Sequence, residues 1–534
     1  MYQQNLVRSR MKLLYPYKAL LGRHETITRT CRCSISFIST VGIEVHAQID
    51  STSKLFSSAG VDFNAAVNSL VSPFDAAHPG TLPSLNKCCV KAAVLTAKAL
   101  NCSINKTSTF DRKHYFYSDL PAGYQITQQR QPIAKNGYLS YVLLNSGCSK
   151  KLHEKKVRIK QIQLEQDSGK SLHDFSRSIP VSLIDLNRAG VGLMEIVFEP
   201  DLRNGDEAVA AVKELIAILK KIGTCSCKME EGALRVDVNV SVSSAVETLG
   251  VRTEVKNLCS VRFMKQAIDF EIQRQCSLLA KGGSVVSETR AFSAEKNCTV
   301  PMRDKEEKQD YRFMPEPNLP PLHLSDNSDP LELRDKYLNI NDVCGLMPEL
   351  PQQTRKKLMT QYNIPLQGAS LLVSNDLLLE KFIFITDTTK ISGKTCMDFL
   401  ALQFLGEVNH AGKELSDVSV SCEQLAQVLI HLESGIITRE GASEVLKHIL
   451  SGDVRSVQVI IDAENLRQVM DEGFLSCLCD EILHDHPEAV LAYKKGKTKA
   501  LNFFMGQIRH QTHHRANMKL AKKLFLEKLR DESK

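Results

Sequence analysis

The chain lacks an apolar run long enough to cross a bilayer. The stretch Leu371–Ile385, for example, is interrupted by Asn375, Asp376, Glu380 and Lys381, whereas a membrane-spanning helix needs about 20 consecutive apolar residues. With 534 residues, 43% hydrophobic and 24% charged, the composition is ordinary for a globular protein of about two to four domains. We therefore expect no membrane span.

The cysteines lack the CxxC pairs of a zinc finger. They occur singly, as the adjacent Cys88 and Cys89, or as CxC pairs such as Cys225/Cys227 and Cys477/Cys479. This spacing does not suit a compact disulfide framework either, so we expect reduced thiols in a protein that is not secreted. An HExxH motif is also missing, which argues against a metal-dependent hydrolase.

Acidic residues are scarce in the first forty positions. The charged residues there are Arg8, Arg10, Lys12, Lys18, Arg23, Arg29 and Arg32, against Glu25 alone. Seven basic residues and one acid give +6, almost all of the formal charge of +7. A basic, acid-poor leader containing Ser and Thr is typical of an organellar transit peptide, which we assign to residues 1–38. The alternative is a basic arm that binds nucleic acid.

What the sequence does contain is a set of segments that alternate apolar and polar residues. In VGIEVHAQI, residues 41–49, Val41, Ile43, Val45 and Ala47 share one face and Glu44, His46 and Gln48 the other. The same period of two predicts strands at Val157–Asp167, Leu193–Pro200, Leu234–Val242 and Val251–Asn257. A change of phase near Lys160–Gln161 predicts a bulge that leaves Glu165 on the polar face.

The polar faces of these five strands are rich in charge. They carry Glu44, His46, Glu165, Glu195, Glu199 and Asp237, with Arg235, Arg252 and Lys256. Crowded acids repel one another unless cations neutralise them. Acids that hold Mg²⁺ and bases that hold phosphate oxygens would satisfy this need, as in phosphoryl transfer. A structural salt-bridge network is the alternative.

Helices between the strands indicate an α+β domain with a mainly antiparallel sheet. They are predicted at Asn86–Leu100, Glu207–Ile222 and Val261–Ala280. Phe110–Tyr117, FDRKHYFY, and the residues up to Gln129 are predicted to form a loop that either binds a ligand or crosses the surface. Arg303–Leu322 is predicted to close the domain as an ordered strap or linker.

From about Leu331 onward the pattern is helical. Helices are predicted at Glu349–Tyr362, Asp376–Ile385 and Lys394–Glu407, then after a capping box at Ser421 and Gln424 and after a cap at Thr438. The final segment, 494–530, has eleven Lys/Arg against Glu527 alone. A basic helical tail indicates a polyanion partner that is recognised by shape and backbone. The alternative is a solvated helix face.

A series of motifs resembles the B-subunit family of the glutamyl-tRNA(Gln) amidotransferases. They are VGIEVHAQ, FDRKHYFYSDLPAGYQITQ, LEQDSGKS, LIDLNRAG with LMEIVFEPD, KMEEGALRVDVN, TEVKNLCS and DYRFMPEP. The resemblance is co-linear from about Val41 to Leu322, extends more loosely through the helical tail, and points to the mitochondrial form.

The resemblance implies a fold and an activity. The expected fold is a cradle domain at 39–325, similar to glutamine synthetase and the guanido kinases, then an all-α helical domain at 326–415 and a helical tRNA-binding tail at 416–534. In this family, the B subunit phosphorylates the side-chain carboxylate of glutamate misacylated on tRNA(Gln), using ATP. Ammonia from the glutaminase (amidase) partner then displaces phosphate, and a third, small partner braces the pair. A mitochondrial matrix location follows.

The resemblance also implies roles for individual residues. Glu44, His46, Glu165 and Glu195 match metal-binding positions and are expected to hold Mg²⁺ with the nucleotide. Lys113, Glu195 and Arg235 form the expected catalytic set, and Arg252, Lys256 and Glu199 the expected ATP contacts. Contacts with tRNA are expected at Lys494, Lys495, Lys497, Lys499, Arg509, Arg515 and Lys519.

The chain departs from the family's pattern at two places. Many bacterial relatives have Glu-Glu-Asp where this chain has Glu165-Gln166-Asp167, and the strand phase favours Glu165 as the ligand. Some relatives bind zinc through cysteine pairs near residues 60–90, where this chain has only Cys88 and Cys89, so no zinc is expected. The main functional alternative is a non-catalytic tRNA-binding scaffold. No Ser-Ser-Lys glutaminase site is recognisable, so ammonia is expected from a partner.

Overall fold

The computed structural model describes residues 37–144, 152–174, 181–244, 248–302 and 311–531. The predicted transit peptide lies almost entirely outside these ranges, as do residues 303–310 of the predicted strap. None of the described helices is long and apolar enough to cross a membrane.

The described elements follow one another along the chain. The strands are β1 (Ile38–Gln48), β2 (Ser103–Ile104), β3 (Thr107–Ser108), β4 (Asp111–His114), β5 (Tyr124–Thr127), β6 (Ala134–Leu144), β7 (Leu152–Gln166), β8 (Lys170–Asp174), β9 (Val181–Asp185), β10 (Gly192–Phe198), β11 (Leu234–Ser243), β12 (Thr253–Lys256), β13 (Thr289–Ser293), β14 (Cys298–Pro301), β15 (Arg312–Pro315), β16 (Leu322–Ser325) and β17 (Leu338–Asn339). The helices are α1 (Lys87–Ala99), α2 (Gly205–Lys221), α3 (Val261–Ala280), α4 (Leu331–Lys336), α5 (Ile340–Cys344), α6 (Pro351–Gln361), α7 (Leu366–Val373), α8 (Asp376–Thr389), α9 (Gly393–Asp398), α10 (Leu405–His410), α11 (Cys422–Glu433), α12 (Arg439–Leu450), α13 (Val457–Ala463), α14 (Glu472–Asp485), α15 (Pro487–Lys494), α16 (Ala500–Gln511) and α17 (Met518–Asp531), with a π-helical segment at Phe399–Phe404 and a 3₁₀ turn at Leu415–Asp417.

A nine-stranded sheet of described strands forms the centre of the first domain. Its order is β14-β13-β12-β11-β1-β10-β7-β6-β2, and all neighbours are antiparallel except β12 and β13. The five strands predicted from alternation are β12, β11, β1, β10 and β7, which lie side by side in this order. The α+β prediction with a mainly antiparallel sheet is confirmed, and β1 is at its middle.

The apolar face of the sheet is covered by helices. Val41, Ile43, Val45 and Ala47 of β1 are buried in one core with side chains of α1, α2 and α3. Burying one large aliphatic side chain in such a core contributes about 1.5–3 kcal/mol. Because the helices occupy this face, the opposite, polar face of the sheet is left for a site.

The predicted bulge is confirmed. The register of β7 against β10 pairs Gln161 with Val197 and Ile159 with Phe198, so Lys160 is the extra residue. The loop predicted around Phe110–Tyr117 is wrong in part, because Asp111–His114 is strand β4, paired with β5 on one side and β15 on the other. This small sheet is built from distant segments, so alternation over four residues of β4 could not reveal it.

Two further hydrophobic cores lie in the C-terminal half. One contains residues from Leu358 to Ile461 and the other residues from Leu475 to Leu529. The predicted capping box is confirmed, since Ser421 Oγ accepts the N–H of Gln424 and the Gln424 side chain accepts the N–H of Ser421. The predicted boundary at 415/416 falls within the first of these two cores; the domain boundaries stay predictions.

Candidate active site

The register of the central strands aligns polar side chains in a row. His46 of β1 is the direct partner of Glu195 on β10 and of Arg235 on β11, and Glu195 is the partner of Gln163 on β7. Directly opposite residues in antiparallel strands point to the same face. Four strands therefore present one polar row, and Glu165 lies two residues beyond Gln163 on that same face.

Three of the four predicted metal ligands come together. One ligand atom from each of His46, Glu165 and Glu195 lies within 4.8 Å of the others, and we call these residues the three-ligand cluster. Nε2 of His46 is 4.0 Å from Oε1 of Glu195. Glu165 and Glu195 are buried, with exposed fractions of 2% and 9%. An imidazole and two carboxylates at this spacing can bind a divalent cation.

Burial sets the protonation of the cluster. It raises the pKa of Glu165 and of Glu195 and lowers that of His46, because a charged group loses its hydration there. Repulsion from Glu195 raises the pKa of Glu165 further, and repulsion from Glu44 raises that of Glu195, which Lys113 only partly offsets. The site therefore favours the neutral imidazole of His46. A cation beside Glu165 and Glu195 would stabilise their charged forms.

One carboxylate oxygen of the cluster has no hydrogen-bond donor within the described part of the chain and could bind a metal ion. Gln163 orients Glu195, because its Nε2 donates to Glu195 Oε2 at 2.5 Å and to Thr127 Oγ1 at 3.1 Å. Oε2 of Glu165, in contrast, is buried and accepts no hydrogen bond from any residue that the structure describes. A buried carboxylate oxygen without a donor is costly, and a cation shared with Glu195 and His46 would satisfy it.

Lys113 enters the site from β4. Its Nζ lies 3.8 Å from Glu165 Oε2 and 4.9 Å from the ring centroid of Tyr311. Burial lowers the pKa of Lys113, but Glu165 and Glu195 outweigh that effect and raise it overall. The ammonium therefore stays charged beside the cluster.

Arg235 is held next to the cluster by Asp167. Its Nη2 lies 3.0 Å from Asp167 Oδ2, and Arg188 Nε lies 3.5 Å from the same oxygen. Nε of Arg235 is buried without a hydrogen-bond acceptor among the described residues. A guanidinium with a free N–H at the edge of the cluster can bind an anionic ligand such as phosphate.

The other predicted residues lie farther out. Glu44 is on the side of His46 away from Glu165, and its carboxylate accepts a hydrogen bond from Asn239 at 3.1 Å. Lys256 Nζ is 3.4 Å from Glu254 and 3.8 Å from Asp237. Arg252 is exposed before β12, and Glu199 follows β10, where its N–H bonds the carbonyl of Arg158 at 2.9 Å.

The predicted tRNA contacts divide into two groups. Lys494, Lys495, Lys497, Lys499 and Lys519 are exposed on α15, the following turn and α17. The two arginines take part in contacts within the chain. Arg509 pairs with Glu440 of α12, and Arg515 donates to the carbonyl of Asn465 at 3.0 Å.

Gln163, Asp167, Arg188 and Tyr311 were not assigned roles from the sequence. Gln163 and Asp167 flank Glu165 at the strand period of two, so the alternation places them on the polar face but gives them no role. Tyr311 and Arg188 arrive from segments without a clear period, and no local pattern indicates that they reach this face.

Comparisons with known proteins agree with this architecture. The GatB/GatE catalytic domain family matches residues 39–328 and the GatB domain family matches residues 383–529. The Homo sapiens protein named as the mitochondrial B subunit of glutamyl-tRNA(Gln) amidotransferase is 47% identical over 510 residues, covering 94% of this chain and 90% of that protein.

Two more relatives extend the similarity. The Danio rerio protein of the same name is 49% identical over 483 residues, 90% of this chain and 87% of that protein. The B subunit of the Rickettsia bellii aspartyl/glutamyl-tRNA(Asn/Gln) amidotransferase is 40% identical over 489 residues, 92% of this chain and 97% of that protein. The family match over residues 39–328 and these identities show that the chain belongs to the GatB family.

Proposed function

We propose that this chain is the component of a mitochondrial glutamyl-tRNA(Gln) amidotransferase that activates the glutamyl side chain of misacylated Glu-tRNA(Gln). The observation that carries the proposal is the three-ligand cluster with Lys113 3.8 Å from Glu165. A buried group of acids beside a cation, on one face of a sheet, suits the transfer of a phosphoryl group between anionic reactants. The names of the relatives supply the substrate.

His46, Glu165 and Glu195 would hold Mg²⁺, with Glu44 at the margin of the site. Mg²⁺ would supply positive charge that reduces the repulsion between the glutamyl carboxylate and the triphosphate of ATP. Two carboxylate ligands suit this ion, which usually retains several waters.

The proposed reaction has two steps, phosphorylation of the glutamyl carboxylate and then its amidation. A carboxylate oxygen of the tRNA-bound glutamate attacks the γ-phosphorus of ATP, the bond to the β-phosphate oxygen breaks, and ADP leaves. Ammonia then attacks the activated carbonyl carbon, the carbon–oxygen bond breaks with phosphate as the leaving group, and a proton is lost to leave the amide. Lys113 holds positive charge beside the acyl phosphate oxygens, and Arg235 with Lys256 binds phosphate oxygens.

Ammonia has to come from another protein in this proposal. We assign its release to a glutaminase (amidase) partner, braced by a third, small partner, because the relatives are named as one subunit of a larger enzyme. The exposed lysines at 494–499 and Lys519 bind the tRNA backbone, since phosphate contacts need accessible cations. The basic leader directs import into the mitochondrial matrix.

The test uses the assembled complex with ATP and Glu-tRNA(Gln) but no amide donor. ADP formation that requires tRNA is expected for the wild type, with phosphate released as water hydrolyses the acyl phosphate. Glu195→Gln should lower both at least about 10²-fold. Glu154→Gln is the matched control, because it removes an exposed carboxylate from β7 eleven positions before Glu165, away from the cluster. Wild-type turnover in Glu195→Gln would instead make the chain a tRNA-binding scaffold.

A further inference from the structure

Phe116 is an apolar ring that the fold leaves in solvent. Its exposed fraction is 87%, the highest of any phenylalanine or tyrosine that the structure describes, and its neighbour Tyr117 is 51% exposed. We call these two residues the aromatic tip. Adjacent exposed aromatic side chains lack the favourable burial of a core position and are typical of binding surfaces.

A series of ring contacts connects the aromatic tip with the three-ligand cluster. The ring centroids of Tyr117 and Tyr115 are 5.6 Å apart, and those of Tyr115 and Tyr311 are 5.7 Å apart. The Tyr311 ring lies 4.9 Å from Lys113 Nζ. Because Lys113 lies 3.8 Å from Glu165, these contacts link Tyr117 of the aromatic tip to the three-ligand cluster.

The tip is held in place by the turn between β4 and β5. The N–H of Tyr115 donates to the carbonyl of Gly123 at 3.2 Å. Gly123 has φ +73°, and a Cβ at this position would lie 3.1 Å from Cε1 of Phe116. Phe116 therefore packs one edge against the glycine, while most of its ring stays in solvent.

One exposed cation lies close to the tip. Arg312 of β15 is the cross-strand partner of His114, two residues before Phe116. The Arg312 side chain is exposed and forms no ion pair with any residue that the structure describes. The acid nearest to the tip in sequence is Asp119, whose Oδ2 accepts a hydrogen bond from Ser171 Oγ at 3.0 Å. An exposed aromatic pair beside a free guanidinium is complementary to a nucleobase joined to a phosphate.

We infer that the aromatic tip stacks against an unpaired nucleobase at the 3′ end of the aminoacyl-tRNA, with Arg312 beside its backbone. This inference rests on the proposed function and names the residues that bring the glutamyl ester to Lys113. Single-stranded RNA is recognised by stacking of its bases on aromatic side chains. The adenine of ATP is the poorer occupant, because small ligands are usually enclosed in clefts and this tip projects into solvent.

A fluorescence titration tests the contact directly. The chain contains no tryptophan, so Phe116→Trp introduces a single reporter into the full chain. Quenching is expected with tRNA(Gln), and not with the same tRNA trimmed of its unpaired 3′ nucleotides or with ATP and Mg²⁺. Unchanged fluorescence, equal quenching by trimmed tRNA, or quenching by ATP would each overturn the inference.

Kinetics of the assembled complex supply the second arm. Phe116→Leu, which keeps apolar bulk without a π face, should raise KM for Glu-tRNA(Gln) about 5-fold or more. The KM for ATP and kcat should stay within about 2-fold, and Phe116→Trp should restore KM. The control is Phe63→Leu, at another exposed phenylalanine of the same domain.

The two proposals fail in different ways. Absence of tRNA-dependent phosphate release from the wild-type complex would refute the proposed function, while the fluorescence titration would still decide the stacking contact. An unchanged KM for Glu-tRNA(Gln) in Phe116→Leu would refute the stacking contact alone. Loss of the partner proteins from purified Phe116→Leu complex would also refute it, and would assign the tip to a protein interface.

Discussion

Charge is distributed differently on the central sheet and in the C-terminal helices. On the sheet, Glu165 and Glu195 are buried close to Lys113, whose Nζ is 3.8 Å from Glu165, and the pKa values of both acids move upward. In the helices, the lysines at 494–499 and Lys519 are exposed. Buried charges interact strongly with their neighbours, whereas exposed charges are screened by water and salt, so each contributes little and several must act together.

The two regions should therefore respond to substitution in different ways. A single change on the sheet removes a group on which its neighbours depend. A single change in the tail removes one of many equivalent charges. Substitutions can therefore test whether the sheet is a site with fixed geometry and the tail a diffuse electrostatic surface.

The largest effect is expected for Lys113→Met. It leaves Glu165 without its nearby cation. It also removes the positive charge of Lys113 that would lie beside the transferred phosphoryl group. Phosphate release dependent on Glu-tRNA(Gln) should fall about 10²- to 10³-fold in single-turnover assays. Lys155→Met is the control, because Lys155 is on the same sheet but pairs with Glu207. Equal losses in both variants would contradict a localised site.

Removal of metal should come next in size. With free Mg²⁺ at about 100 times its Kd, binding to the native state adds about 2.7 kcal/mol to the free energy of unfolding. The midpoint temperature of thermal unfolding should therefore be higher in Mg²⁺ than in EDTA for the wild type. His46→Ala should abolish the difference, and alanine at the four lysines 494, 495, 497 and 499 should preserve it. A difference retained by His46→Ala would place the metal elsewhere.

The sequence predicted the sheet well because burial on one face imposes a period of two. Apolar and polar residues alternate within each central strand. The phase of this alternation changes at Lys160, which is the bulge residue. The polar residues of such strands can be identified without knowing which strands pair. Their convergence could not be read from alternation, because strand order depends on contacts between distant segments.

The site residues that the sequence did not predict come from irregular segments. Tyr311 reaches Lys113 only because β15 pairs with β4, about two hundred residues earlier in the chain. Arg188 reaches Asp167 from the turn after β9. Glu44 shows the converse case. Alternation places it on the correct face, but it lies two residues along β1 from His46 and outside the three-ligand cluster.

A smaller, more distributed effect is expected in the tail. Alanine at Lys494, Lys495, Lys497 and Lys499 together should weaken tRNA binding and reduce its salt dependence. The slope of log K against log salt should fall by about 0.7–0.9 for each lysine that contacts a phosphate. Filter binding at several salt concentrations measures it, with the free energy of unfolding unchanged as control. An unchanged slope would remove these lysines from the tRNA surface.

The smallest effect is expected for Arg509, because its charge is already matched by Glu440. Both side chains are nearly half exposed, so Arg509→Gln should reduce the free energy of unfolding by no more than about 0.5 kcal/mol in urea titrations. Glu440→Gln separates the two roles of Arg509. If Arg509 serves only to join α16 to α12, Glu440→Gln lowers stability equally and leaves tRNA affinity unchanged. If Arg509 belongs to the tRNA surface with the lysines, freeing it from Glu440 strengthens binding and steepens its salt dependence.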